Sequence, residues 1–241
     1  MNIEVSVVTP TYNRRKFISA AIEIYKNYDF PKEKMEWIIL DDGRDKVEDL
    51  FLEAAKGLPN IRYHYEDEKM RIGAKRNWLN KEARGAIIIA MDDDDYYPAD
   101  RIIEVVNAFK KYPTIQLAGS SEMYSYYADT KQLYVMGPYH KKHATNGTMA
   151  WRKSYSDTHK YNEYVTKAEE TSFLEDYKNE MIQLDPKKTI LMICHTDNTV
   201  DKAALRNQAQ LLQQKTGMRP VSITLNEFVK EPLIRQFYLT I

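Results

Sequence analysis

Short strand-like runs, each followed by a helix-period pattern, restrict what this chain can fold into more than any other feature. Glu4–Thr9 is β-branched and unbroken, Glu36–Leu40 is mostly apolar, Ile61–Tyr65 alternates, and Ala86–Met91 is wholly apolar. Helical faces follow them: Phe17, Ala20, Ala21, Ile24 and Tyr28, then Val47, Leu50, Phe51, Ala54 and Leu58, then Gly73–Ala83, then Ile102, Val105, Val106 and Phe109. A continuous apolar run suits a strand covered on both faces, and repeated strand–helix–strand order implies parallel pairing with right-handed crossovers. The expected class is therefore α/β, with a mostly parallel central sheet flanked by helices. Such sheets bind ligands beyond the carboxyl ends of their strands, so the polar residues just after each strand are the candidates for chemistry.

The second half is less regular. Ile115–Ser120 is a further strand, and Met123–Tyr139 is expected as a hairpin turning at Asp129–Thr130. Residues 140–160 read as loop-rich surface, Val165–Glu180 as a helix, and Met181–Leu184 and Ile190–Cys194 as short strands. Lys202–Lys215 carries a thin apolar stripe, and the last 25 residues follow no clear period.

Composition narrows the function classes. Lys+Arg and Asp+Glu both number 35, so no net basic field favours nucleic acid. The single cysteine, Cys194, excludes an intramolecular disulfide and a Cys-based zinc site. The longest apolar run, Ala86–Met91, is far short of the ~18 residues of a membrane span. With no leader-like segment before the first strand, the expectation is a cytoplasmic protein without a membrane span.

The strongest chemical signal is Asp92-Asp93-Asp94-Asp95, directly after the fourth strand. Carboxylates at that density raise one another's pKa unless a cation neutralises them, and hard divalent ions such as Mn²⁺ or Mg²⁺ suit carboxylate oxygens. A solvated acidic loop is the plainer alternative. Asp41-Asp42-Gly43 follows the second strand and suits either a hydrogen bond to a base or ribose, or ordinary turn chemistry. Thr9-Pro10-Thr11-Tyr12-Asn13-Arg14 offers groups for a nucleoside, with Asn13 as a possible helix cap. Gly73-Ala74-Lys75-Arg76-Asn77 opens a helix with basic residues, a natural diphosphate neighbourhood or a solvated turn.

Together, Val5–Phe17, Leu40–Gly43, Gly73–Asn77 and Met91–Arg101, in this order and spacing, resemble the family 2 glycosyltransferases with the GT-A fold. The resemblance covers residues 3 to about 120 well and 140 to 200 loosely. It implies a Rossmann-like GT-A domain over 1–200, made of a nucleotide-sugar-binding half (1–120) and an acceptor-side half (121–200), with 201–241 as a C-terminal helical appendage. It implies a metal-dependent, inverting transfer from a nucleotide sugar, usually UDP-linked, to a hydroxyl of a glycan or glycoconjugate, by a domain compatible with a larger multidomain enzyme. Asp41 falls at the family's uracil position with Thr9 and Tyr12 beside it, and Arg71, Lys75 and Arg76 fall near the base or diphosphate. Asp92 and Asp94 fit the Asp-x-Asp motif, Asp94 as a direct ligand of Mn²⁺ or Mg²⁺. Asp93 belongs with the nucleotide-sugar residues, and Asp93 with Asp95 leaves a one-residue ambiguity of register. Glu170 takes the place of the catalytic base, with Glu169 as the alternative, and Glu stands where the family usually has Asp. His195, before Asp197-Asn198-Thr199, resembles a late motif whose His completes the metal site. A structural, hydrogen-bonded His is the alternative. His143–Arg152 resembles an acceptor-side strand and loop in which Gly147, Thr148 and Trp151 frame the sugar, core packing being the other reading of Trp151.

Two rivals are weighed. A nucleotidyltransferase would carry a glycine-rich basic loop after the first strand, where Thr9–Tyr12 has no glycine. A non-catalytic nucleotide-sugar-binding module on the same fold would bind UDP without turnover.

Overall fold

The computed structural model describes residues 2–165, 168–198, 202–211 and 217–241. Strands β1 (Val5–Thr11), β2 (Met35–Asp41), β3 (Ile61–Tyr65) and β4 (Ile87–Ala90) form the parallel part of a seven-stranded sheet of order β3-β2-β1-β4-β8-β5-β9. Helices α1 (Arg15–Asn27), α2 (Glu48–Ala55), α3 (Ile72–Glu82) and α4 (Arg101–Lys111) alternate with them, as the periodicity requires. Helix α1 buries Phe17, Ile18, Ala21, Ile22, Ile24 and Tyr25 against the core, where Tyr25 stacks on Trp37 at 4.6 Å.

The chain leaves β1 towards β2 and β3 on one side and returns to β4 on the other. The strand order thus reverses at β1, the switch point at which such sheets open a crevice. The registers widen it. β1 pairs with β2 as far as Thr11↔Asp41, but with β4 only as far as Val8↔Ala90. The acidic segment after β4 therefore begins beside an unmatched stretch of β1.

Beyond β4 the sheet changes character. β5 (Leu117–Gly119) and β9 (Met181–Gln183) pair in parallel, but β8 (Ala150–Arg152) lies between β4 and β5 and runs antiparallel to both. A smaller sheet of order β10-β6-β7-β11 contains the expected hairpin, β6 (Met123–Tyr127) and β7 (Gln132–Met136), with β10 (Leu191–Cys194) and β11 (Arg219–Pro220). A bridge between Tyr96 and Leu191 ties this sheet to the segment after β4.

Two expectations are corrected. Among the described residues of the expected helix Val165–Glu180, only Glu170–Phe173 is helical, and residues 166–167 lie outside the described residues. Ala168, Glu175, Asp176 and Tyr177 have positive φ, incompatible with a continuing right-handed helix. Good helix formers are overridden here by tertiary contact, since Phe173 and Leu174 are both buried in the core. Residues 219–241 are integrated rather than appended: Val229, Ile234 and Tyr238 lie in the main core, and Phe237 meets Phe17 edge-on at 5.8 Å. The helix Lys202–Leu211 matches the start of the Lys202–Lys215 pattern, whose end lies outside the described residues.

Candidate active site

The four aspartates divide by side. Asp93 and Asp95 are buried, whereas Asp92 and Asp94 are partly open to the crevice. Asp95 accepts from Ile193 N at 2.7 Å and so fastens β10 to the acidic turn. Burial and the neighbouring Asp94 push Asp93 and Asp95 well above the usual carboxylate range. Burial also raises Asp92, against the opposing pull of Arg76. By this inward–outward alternation Asp92 and Asp94 form the outward pair. Tyr97 Oη accepts from Asp92 N at 2.8 Å, and Arg101, stacked 4.2 Å over the Tyr97 ring, donates to Gly147 O at 3.0 Å. Gly147 allows the close approach of that turn: a Cβ there would stand 3.1 Å from Asp92 Oδ2 and 2.9 Å from Ile190 Cδ1.

His195 Nε2 lies 3.2 Å from Asp94 Oδ2, and its ring packs 4.5 Å from Phe17. Its Nδ1 accepts from Asp197 N at 3.1 Å. Asn198 Nδ2 stands 3.0 Å from the same Nε2, so the tautomer decides whether Nε2 donates to Asp94 or accepts from Asn198, and ligation of a metal through Nε2 needs it unprotonated. Among the described residues no three His, Cys, Asp or Glu side chains converge as a metal-binding group. The donor set nevertheless fits a hard cation of the Mg²⁺ type, which takes one or two carboxylates and completes its shell with phosphate and water.

Several residues expected at the nucleotide sugar turn out to be held inside the protein. Thr9 is fully buried and accepts from Trp37 Nε1 at 2.9 Å. Lys75 is buried, donating to Thr11 O and Asp42 Oδ1, both at 2.5 Å. Asp41 is 1% exposed, with Oδ1 accepting from Gly43 N at 2.8 Å and Oδ2 from Tyr63 Oη at 2.6 Å and Val47 N at 3.2 Å. These residues shape the loop walls from behind. Tyr12 is half-buried with Lys69 Nζ 4.1 Å over its ring, and Arg71 is exposed, donating to Tyr164 O at 2.9 Å. Trp151 is a core residue whose Nε1 donates to Asn80 Oδ1 at 3.1 Å. Asn13 caps no helix. It sits at φ 53°, and its Oδ1 accepts from Asp45 N at 3.1 Å.

Arg14 is the site residue that the sequence reading missed. It places Nε 3.9 Å from Asp93 and Nη2 3.8 Å from Asp94, and donates to Asp197 O. Its position just beyond β1 was a usable signal, because residues there border the switch point.

The opposite wall comes from the second half. The segment after β8 lies along α3: Asn77 Nδ2 donates to Tyr161 O at 2.9 Å and its Oδ1 accepts from Tyr161 N at 2.9 Å, while a Cβ on Gly73 would run into Asn162 O. This path leads to Glu169 and Glu170, whose environments differ. Glu169 is buried and accepts from Arg76 Nε at 2.8 Å. Glu170 is partly exposed, and burial followed by the nearby Glu169 raises its pKa above 4.5. A carboxyl raised in this way is a candidate for acid–base work.

Residues 6–207 match the protein family described as Glycosyl transferase family 2. The chain belongs to that family. Poly(ribitol-phosphate) beta-N-acetylglucosaminyltransferase TarS of Staphylococcus aureus is 30% identical over 92 residues, 38% of this chain and 16% of TarS. Dolichyl N-acetyl-alpha-D-glucosaminyl phosphate 3-beta-D-2,3-diacetamido-2,3-dideoxy-beta-D-glucuronosyltransferase of Methanococcus voltae is 26% identical over 172 residues, 68% of this chain and 53% of that protein. The chain thus spans only part of the curated relatives it matches. The family's fold is confirmed by TarS 1–349 of S. aureus in complex with UDP-GlcNAc, which superposes with a TM-score of 0.66 at 16% identity, covering 98% of this chain and 70% of that one. A mannosyltransferase of Pyrobaculum calidifontis with GDP-Man and Mn²⁺ gives 0.63 at 17% identity, covering 89% and 63%. The α/β class expected from the strand–helix order and the GT-A fold implied by the family resemblance are therefore the architecture found. No helix among the described residues is long and apolar enough to cross a membrane.

Proposed function

We propose that this family 2 chain is a glycosyltransferase that moves a sugar from a UDP-linked donor to an acceptor hydroxyl, with inversion at the anomeric carbon. The observation that carries the reading is the approach of two acid sets at the switch point, where Arg76 reaches both Asp92 and Glu169, the neighbour of Glu170. Asp92 and Asp94 are half-open on the donor side, and Glu170, with its raised pKa, stands on the other. The UDP-GlcNAc bound to TarS and the GDP-Man and Mn²⁺ bound to the mannosyltransferase support a nucleotide-sugar donor and a divalent ion here.

Asp92 and Asp94 would hold Mn²⁺ or Mg²⁺, with His195 orienting Asp94. A divalent ion there supplies Lewis-acid stabilisation of the departing diphosphate. Arg14 adds a fixed positive charge beside Asp93 and Asp94, where negative charge develops in the transition state. Glu170 takes the proton from the attacking hydroxyl, and its raised pKa suits it to general-base work better than an ordinary carboxylate. Tyr12, whose ring carries Lys69 on one face, would stack on the nucleoside. Asp41 supports that pocket through its loop.

A screen of nucleotide sugars for nucleotide diphosphate release, in Mn²⁺ and in EDTA, tests the reading, with the anomeric coupling constant of the product as its second readout. Release from a UDP-sugar in Mn²⁺ alone and a β-linked product from an α-linked donor are expected. Full activity in EDTA removes the metal, and an α-linked product removes both inversion and the role of Glu170. UDP binding without any turnover favours the non-catalytic module.

A further inference from the structure

Arg76 was expected at the nucleotide sugar, yet its guanidinium lies inside the protein and faces both acid sets. Nε donates to Glu169 Oε1 at 2.8 Å, and Nη2 reaches Asp92 Oδ1 at 3.4 Å. The Asn146 amide stands between Arg76 Nη1 and Tyr161 Oη, each at 2.7 Å, and its hydrogen bonding is satisfied with the oxygen toward Arg76 and the nitrogen toward Tyr161. Three parts of the chain that are far apart in sequence therefore meet on one side chain from α3: the acidic turn after β4, the turn before β8, and the segment entering Glu170.

We propose that Arg76 is a positioning residue that sets the base segment against the donor-side acids, holding Glu169 and Asp92 with one rigid fork so that Glu170 faces the reacting hydroxyl. The inference rests on the proposed transfer only for the role given to Glu170. Three observations support it. The fork is planar and its donors diverge, so it can span two carboxylates in a fixed geometry that an ammonium cannot copy. Glu169 is the residue next to Glu170, and Ser172 Oγ donates to Glu169 O at 2.8 Å, so holding Glu169 orients the first turn of that short helix. The helix is also braced from below: Phe173 stacks on Tyr161 at 4.2 Å, and Phe173 O accepts from Tyr155 Oη at 2.7 Å.

The charge pattern gives a readout that plain packing would not move. Burial raises the Glu170 pKa, Glu169 raises it further, Arg76 lowers it and Asp92 raises it. Tyr161 and Tyr177 also face the carboxyl, both with pKa values raised chiefly by burial, so they stay neutral across the working range. Removing the Arg76 charge should move the Glu170 midpoint up, and removing the Glu169 charge should move it down.

The test uses the full chain with ¹³C-labelled glutamate carboxyls. The Glu170 titration is followed by NMR, and kcat against pH is measured in parallel. Arg76→Gln should raise the Glu170 midpoint and lower kcat by ~10-fold or more, the scale of a misplaced catalytic group. Arg76→Lys should return the midpoint toward that of the unaltered protein without restoring kcat. Glu169→Gln, of nearly the same shape, should lower the midpoint, and it carries the test if Arg76→Gln does not fold. Unmoved midpoints in the Gln variants, or full kcat in Arg76→Lys, would overturn the proposal. If the unaltered protein transfers no sugar, the functional reading fails while the titrations still decide the role of Arg76.

Discussion

The first and second halves of the molecule deliver their acids by different means. Asp92–Asp95 follow a buried parallel strand at the switch point, where the sheet itself supplies position. Glu169 and Glu170 open a one-turn helix with no strand before it, and their place is set by Arg76, Tyr161 and Phe173. Local chain geometry is enough to aim the first set. The second depends on contacts between residues far apart in sequence, which makes it the more sensitive to remote substitution and the easier to retune.

Substitutions on the two sides should separate along this line. The largest effect is expected for Asp94→Ala, which should abolish measurable turnover and weaken UDP binding in Mn²⁺, read by isothermal titration with and without EDTA. UDP affinity equal to that of the unaltered protein in Mn²⁺ would break the donor-side assignment.

Glu170→Gln should lower kcat by ~10²-fold or more, the usual scale for loss of a general base, with UDP affinity nearly unchanged. In the unaltered protein the base works only when ionised. Since its pKa is raised above 4.5, kcat should climb with pH through a limb lying above that value, and the limb should vanish in the Gln variant. A limb that persists in Glu170→Gln would move the base to another group.

Phe173→Ala tests the dependence on remote contact. Phe173 is fully buried, so truncation should cost ~3–5 kcal/mol in chemical denaturation. At a temperature where the variant is still folded, kcat should fall while UDP affinity holds. Parallel loss of both would show that the two sides are not separable.

The smallest effect is expected at Asp41. Asp41→Asn leaves one oxygen for Gly43 N but sets an amide opposite Val47 N, a mismatch of ~1–3 kcal/mol. Thermal denaturation should register it, and any preference of the unaltered protein for UDP over CDP, measured alongside, should survive. Loss of that preference in a folded variant would restore the direct uracil contact suggested by family resemblance.

How much was legible follows the same division. Strands β1 to β4 and their helices are written in local periodicity, and the acidic run after β4 announces the site without any structure. Asp92 and Asp94 were picked from its four aspartates by resemblance, with a one-residue ambiguity of register, because what takes Asp95 inward is Ile193 N, nearly a hundred positions away. Thr9 and Lys75 pointed to a ligand in sequence, but Trp37 and Asp42 claim them in space. The Val165–Glu180 pattern reads as helix by composition, yet burial of Phe173 and Leu174 and the left-handed residues 175–177 outweigh local propensity. Glu170 was placed by resemblance, and what separates it from Glu169 is an arginine on another helix.

The reversed direction of β8 has a further consequence. A strand running against its neighbours brings its upstream turn, residues 146–148, to the crevice and leaves its downstream end at the far edge, where Lys153 N bonds Ala86 O at 2.9 Å. The chain must then travel back along α3 before it can present Glu170. That return path can vary in length by insertions and deletions that leave every strand pair, and the Arg76 contacts to Glu169 and Asp92, intact. For natural variation or for redesign, that return path is a spacer through which one donor platform can be fitted to acceptors of different bulk.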